Sequence, residues 1–504
     1  MGFVDEKVAP RREERLGTCI DFGGCACDLK KNFNGGCLKN NDRGFCQGSI
    51  CQLLPGLSML NSIPDSVVIV HGSLGCGGAG HSQSAGVRGR QILGGSTNPR
   101  GTLWISTNLN ERDVVTGGEA KLEEAIAEAD RRYRPASIIV VSSCVPGIIG
   151  DDLDGVVAKI QPRVNGVILP VHCEGFKTKV MATAYDAVYH AISRNLLDAE
   201  EEESRVFPDE LAEAAEKIRR SRQVNLMNVS SGTPGDEKEL TRLLNALGLE
   251  VRIFPCFTHP DDMKYATRSA LSISTCPTHD DYFLKYLHEK FGVPYLLKYM
   301  PIGIENTNAW LRDVAKFFHL EEAAERVIGQ ETYELELSLK PIRENLKGKK
   351  AMLSAGEVRT LATAGWLQEL GLQVTAVRPY HYDEFGEPAL DRLIEKDPDI
   401  QANVGTVQPF ETVNIIEKNK PDVYFGHNSD NIWAAKSGIP VIPIYGGPHT
   451  YVGYAGAFDL ARNINRVLKN PSFNQNLKKN VRQPYFKDWF TDEPYKYIVQ
   501  GGEV

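Results

Sequence analysis

Residues 137–152 read SIIVVSSCVPGIIGDD. The run 137–143 has the apolar and small side chains of a parallel strand buried on both faces. Cys144 then opens a turn bearing Pro146 and Gly147. A strand that ends this way delivers its next side chain to the carboxyl edge of the sheet, where open α/β sheets bind ligands. The same grammar stands in SVVIVHGSLGCGGAG (66–80), where the run 66–70 precedes Cys76, and Cys51 opens CQLLPG (51–56). Three thiolates gathered at one sheet edge suit a soft metal centre.

The composition is that of a globular chain. With 504 residues, of which 42% are hydrophobic and 24% charged, it is long enough for about three or four domains. A net charge of -8 gives no electrostatic footprint for nucleic acid. No apolar run reaches the ~18 residues of a membrane span. The opening MGFVDEKVAPRREERLGT lacks an apolar signal core and the Ser or Thr of a myristoylation signal, so the expected location is cytoplasmic. The eleven cysteines are Cys19, Cys25, Cys27, Cys37, Cys46, Cys51, Cys76, Cys144, Cys173, Cys256 and Cys276. In a cytosolic chain an odd set of this kind points to metal ligation or catalysis before disulfides.

Working outward, residues 1–50 form a Cys/Gly/Asn-rich arm of irregular pattern. Residues 51–222 read as an α/β domain with strands at 66–70, 137–142 and 167–171, followed by the charged connection 198–222. Residues 223–348 and 349–470 each open with strand, Gly-bearing loop and helix (VNLMNVSSGTPGDEKELTRLLNALGLEV and KAMLSAGEVRTLATAGWLQELGLQV). In both a Gly closes the helix and a strand follows at once, which is βαβ grammar. A long helix over 320–347 joins them, and 471–504 is an aromatic tail. The fold class is therefore α/β, with three doubly wound parallel-sheet domains.

Each motif has a plainer reading beside the chemical one. Gly75-Cys76-Gly77-Gly78-Ala79-Gly80 matches a dinucleotide loop, yet Ile92-Leu93-Gly94-Gly95-Ser96-Thr97-Asn98 supplies no carboxylate for a ribose. Cys276 ends a strand and precedes a helix whose amides would favour a thiolate, while Thr275, Thr278 and Asp280 could equally serve as helix caps. His449, after the strand Val441-Ile442, is either a ligand or a loop histidine bonded to backbone. Cys173 and Cys256 read as packed core cysteines. Cys25-Ala26-Cys27 lacks a zinc spacing. Asp151-Asp152 reads as a helix start. Walker, Ser/His/Asp and H-E-x-x-H patterns are lacking.

Taken together the segments resemble nitrogenase component 1 proteins. CQLLPG at Cys51, VHGSLGC at Cys76 and SSCVPGIIGDD at Cys144 look like that family's three P-cluster-type ligand segments. Cys173-Glu174-Gly175-Phe176 resembles the C-E-G-F/Y segment of the catalytic α-subunit, and residues 106–118 resemble its S-T-D/N-x-x-E-x-D-I/V-x-x-G-G run. The likeness continues through 299–305 and 453–456. It implies three Rossmann-like domains around a central metallocluster. It also implies a homologous β-type subunit in an α2β2 heterotetramer, and an ATP-dependent iron-protein reductase as electron donor. Cys51, Cys76 and Cys144 would hold this chain's half of an eight-iron P-cluster-type iron–sulfur cluster at the subunit interface. Cys276 and His449 would hold a complex iron–sulfur active-site cluster.

The departures from the family narrow the expectation. Twelve residues after Cys173, where dinitrogen-reducing relatives carry a protonating histidine, stands Tyr185. The cofactor histidine is displaced to His449, just after Gly447-Pro448. Gly426-His427-Asn428-Ser429-Asp430-Asn431 lacks the lysine that holds homocitrate. These changes point to an all-iron or precursor-like cluster. Tyr185, His172 and His190 are the expected proton carriers for a small-molecule substrate. The leading expectation is a nitrogenase-like reductase subunit that cleaves the C–S bond of methylthio-alkanes. The alternatives are a cofactor-assembly scaffold and a dinitrogen-reducing α-subunit.

Overall fold

The computed structural model describes residues 6–32, 42–48, 50–81, 102–197, 209–228, 233–444, 449–482 and 485–499. Cys37, the 92–98 stretch, the Gly447-Pro448 turn and residues 198–208 of the charged connection lie outside the described residues.

The described residues of the expected irregular arm pack on the rest of the chain. They contain a helix at Arg12–Leu16, strand β1 (Phe22–Cys25), a helix at Ala26–Asn32 and strand β2 (Asp42–Arg43). Cys19 and Tyr382 exchange both backbone hydrogen bonds, at 2.7 and 2.9 Å.

The first sheet comprises β3 (Ser66–His71), β4 (Leu103–Ser106), β5 (Ser137–Ser142) and β6 (Val167–His172). Its order is β4-β3-β5-β6, all parallel. Every residue of β3 and β5 is buried, as expected of central strands covered on both faces. The helix Glu119–Tyr133 lays Leu122, Ile126 and Ala129 against this sheet at helical spacing.

The second sheet comprises β7 (Gln223–Asn228), β8 (Glu250–Pro255), β9 (Leu271–Ile273) and β10 (Tyr295–Leu296), in the parallel order β10-β9-β7-β8. Thr233 and Asp236 form a reciprocal cap at the start of the helix Pro234–Ala246, with Pro234 in its first turn.

The third sheet comprises β11 (Lys350–Ala355), β12 (Gln373–Pro379), β13 (Gln401–Val404), β14 (Val423–Gly426) and β15 (Val441–Pro443). The arm strand β1 joins it antiparallel along β13, giving the order β1-β13-β12-β11-β14-β15. The helix Glu321–Leu346 connects the second and third sheets. A last strand, β16 (Ile498–Val499), pairs with β2, and Trp489 of the tail packs on Phe410 and Tyr485. No helix among the described residues is long and apolar enough to cross a membrane.

Strand order reverses once in each sheet: between β3 and β5, between β7 and β9, and between β11 and β14. Adjacent loops there leave on opposite faces and open a crevice at the strand tips.

Candidate functional site

Cys76 and Cys144 leave the crevice of the first sheet. Both sit in helices and not in open Gly turns: Cys76 within Leu74–His81, and Cys144 as the first residue of Cys144–Ile149. Ser143 is extended and stops the strand, and Gly150 in the left-handed region ends the helix after six residues. Asp152 caps the next helix by accepting from the Gly155 amide, in line with the expected helix start.

Cys51 arrives from outside the sheet, just ahead of the helix Leu53–Leu60. The side-chain amide of Gln52 donates to the Glu174 carbonyl at 2.8 Å and latches this segment to the loop after β6. That loop places Gly175 against the thiols. A Cβ on Gly175 would overlap the Cys51 sulfur and lie 3.5 Å from the Cys144 sulfur. The Leu53 amide donates to Cys51 Sγ at 3.4 Å, and Ser73 Oγ donates to Cys76 Sγ at 3.7 Å. Burial pushes the Cys51 thiol up, and the neighbouring Cys144 and Cys76 push it the same way. Three neighbouring thiols beside a cradle without a Cβ are a donor set suited to a thiolate-held iron group.

The rim of this site is apolar and exposed. Leu74 is 63% exposed, Ile148 70% and Phe176 54%, and each lies within four residues of Cys76, Cys144 or Gly175.

Cys276 sits beyond β9, at the crevice of the second sheet. It is the N-cap of the helix Pro277–Phe291 and only 4% exposed. Burial drives its thiol up to about 12, outweighing the neighbouring Arg359 and the helix amides, so the expected thiolate stabilisation loses to desolvation. Asp280, in the first turn of that helix, reaches back over its start: its Oδ2 accepts from Ser274 Oγ at 2.7 Å and from the Thr275 and Cys276 amides at 3.2 and 3.3 Å.

Two residues beside Cys276 escaped the sequence reading. His279 stands one helical turn along, half-buried, with no hydrogen-bond partner for Nδ1 among the described residues. Its ring lies 4.2 Å from that of Tyr185. Arg359, after β11, donates to the Ile444 carbonyl at 3.1 Å. The i+3 spacing from Cys276 was the available signal for His279. Arg359 had none, because only the fold brings its strand tip near Cys276.

The three expected proton carriers separate. Tyr185 is buried against His279, next to the Cys276 helix. His172 ends β6 and is bonded to Asp154 at 3.0 Å and Glu174 at 3.4 Å. Burial alone would lower it, but these two carboxylates hold it up at about 9. His190 is tied to the Tyr282 hydroxyl at 2.8 Å and donates to the Glu6 carbonyl at 3.0 Å, and burial drops it to about 4. His449 is half-buried after the edge strand β15. Its segment docks on the second sheet's helix, where Asp236 Oδ1 accepts from the Tyr451 amide at 2.6 Å. Cys173 and Cys256 are packed in the core.

The family described as Nitrogenase component 1 type Oxidoreductase matches residues 51–469. The nitrogenase iron-molybdenum cofactor biosynthesis protein NifE of Rippkaea orientalis is 30% identical over 459 residues, covering 90% of each chain. The nitrogenase molybdenum-iron protein alpha chain of Methanothermobacter marburgensis is 26% identical over 422 residues, 81% of this chain and 85% of that one. A solved structure titled "Nitrogenase Cp1 at pH 5" superposes with a TM-score of 0.70 at 21% identity, over 96% of this chain and 99% of the other; it shows the shared fold.

Proposed function

Because this chain belongs to the nitrogenase component 1 type oxidoreductases, we propose that it is the α-type subunit of a cluster-carrying heteromer and serves as an assembly scaffold. In this reading Cys276 and His449 receive an iron–sulfur cofactor precursor as cargo. Cys51, Cys76 and Cys144 hold this chain's share of a P-cluster-type centre, against a homologous β-type subunit seated on the apolar rim. An ATP-dependent iron-protein reductase supplies electrons during maturation.

One observation carries the scaffold role. Of the three side chains suited to proton delivery, His172 is bonded to Asp154 and His190 to Tyr282, six residues along the helix from Cys276, and only Tyr185 packs on His279, in the first turn after Cys276. A reductase needs protons at its reacting centre, whereas a scaffold needs a ligand set sparse enough to let go. The names of the more similar relatives, cofactor biosynthesis proteins, support the same assignment.

The test is transfer. Cluster-loaded complex is mixed with an iron-free acceptor enzyme of the family, and iron in each is counted after separation. A scaffold passes most of the iron associated with Cys276 to the acceptor. Retention of that iron through repeated turnover would overturn the assignment.

The near-complete burial of Cys276 favours a second reading, a resident cluster in a reductase that cleaves methylthio-alkanes. Release of methanethiol from dimethyl sulfide, with reductase and ATP, distinguishes it. Reduction of dinitrogen under the same conditions would instead assign a nitrogenase α-subunit.

A further inference from the structure

The loops after β11 and β12 meet because those strands are parallel neighbours, with Ala355 opposite Pro379. Two residues beyond that pair on each strand stand Glu357 and His381, and Asp383 follows. All three are buried, His381 being only 2% exposed. One donor atom from each lies within 4.8 Å of the other two. His381 Nε2 is 3.8 Å from Glu357 Oε2 and 3.8 Å from Asp383 Oδ2.

That spacing is too long for a hydrogen bond. Neither ring nitrogen of His381 has a hydrogen-bond partner among the described residues, and neither has Glu357 Oε2. Leaving such buried groups unbonded costs about 1–3 kcal/mol each. The remaining carboxylate oxygens are all used. Glu357 Oε1 accepts from the Asp383 amide at 2.8 Å, Asp383 Oδ1 from the Phe385 amide at 3.1 Å, and Asp383 Oδ2 from Arg12 Nε at 3.0 Å. These bonds orient the carboxylates while Glu357 Oε2, a lone pair of Asp383 Oδ2 and the imidazole stay aimed at one point.

We propose that Glu357, His381 and Asp383 form a mononuclear site for a divalent first-row cation. Two donors each about 2.1 Å from one ion can be at most about 4.2 Å apart; the two separations from His381, 3.8 Å each, fall inside that limit, and the third donor pair lies within 4.8 Å. One imidazole and two carboxylates select a cation of borderline or hard character over the soft clusters that cysteines hold. Through Asp383 the ion pins the third sheet to the arm helix Arg12–Leu16, so its role is structural. Gly386 leaves the room: a Cβ there would collide with the Glu357 carboxylate.

The test uses the full chain, stripped by chelator, and Mn(II) as probe because thiolates hold it weakly. Electron paramagnetic resonance should count one tightly bound Mn(II) per chain, and its spin-echo modulation should carry a single imidazole nitrogen. His381→Asn should abolish the nitrogen signature and weaken binding at least about tenfold, and Glu357→Gln should weaken it similarly. If the wild-type chain binds no Mn(II) at submillimolar concentration, or binds it without the nitrogen coupling, the proposal fails. It also fails if His381→Asn binds as well as wild type. The wild-type nitrogen signature decides the matter on its own should either variant fold poorly.

Discussion

At Gly175 the difference between hydrogen and methyl decides whether the Cys51 and Cys144 sulfurs can face each other. Gly175→Ala must push the Cys51 thiol aside, with an overpacking cost of about 1–3 kcal/mol. Iron bound by Cys51, Cys76 and Cys144 should fall by more than half, while far-UV circular dichroism stays that of the wild type. His172 gives a pH prediction. Its folded value, about 9, lies above the unfolded value of about 6.5, so its contribution is complete below about 6.5 and is lost as pH rises through 9. The contribution is about 3 kcal/mol at most. Urea midpoints should drop between pH 6 and pH 9.5, and His172→Gln should remove that share of the drop. Single residues were legible in the sequence where a covalent neighbour announced them. Cys51, Cys76, Cys144 and Cys276 each stand beside an apolar run. The separation of His172 and His190 from Tyr185 was not legible, because two of the three lie on one helix, Thr183–Asn195, and only packing shows which way each faces.

Among the elements, the short helix Arg12–Leu16 carries the most concentrated electrostatics. Arg12 donates to Asp281 at 3.2 Å and Asp383 at 3.0 Å, its amide donates to Thr183 Oγ1 at 3.2 Å, and Asp186 lies 3.8 Å away. Arg15 donates to Asp186 at 2.8 Å. One five-residue helix thus holds residues following all three sheets. Removing one partner of such a network strands buried carboxylates, so Arg12→Met should destabilise by about 3–5 kcal/mol, read as a lower urea midpoint. The loss should shrink at pH 5, where the stranded carboxylates can take up protons. Elements built from continuous apolar runs were readable to within a residue: 66–70, 137–142 and 167–171 were expected, and Ser66–His71, Ser137–Ser142 and Val167–His172 are found. Strand β1 was not readable. Its sequence, FGGC, has two glycines and no alternation, and it becomes a strand only because β13 offers an open edge.

For the whole molecule, the apolar rim around the thiols is the surface a partner would cover. Ile148→Glu places a charge on it at a residue 70% exposed. In size-exclusion chromatography the variant should fail to co-elute with the β-type subunit, while its own circular dichroism is unchanged. Co-elution at wild-type affinity would remove this face from the assembly.

The antiparallel pairing of Phe22–Cys25 with 401–404 also orders events on the ribosome. Roughly 380 residues separate the two partners, and at 5–20 residues per second the first must wait about 20–75 s for the second to emerge. Throughout that interval Cys19, Cys25 and Cys27 travel unsheltered on a nascent thread. The earliest-made segment then seats along the β13 border of the third sheet, which until that moment is free to recruit a stray strand.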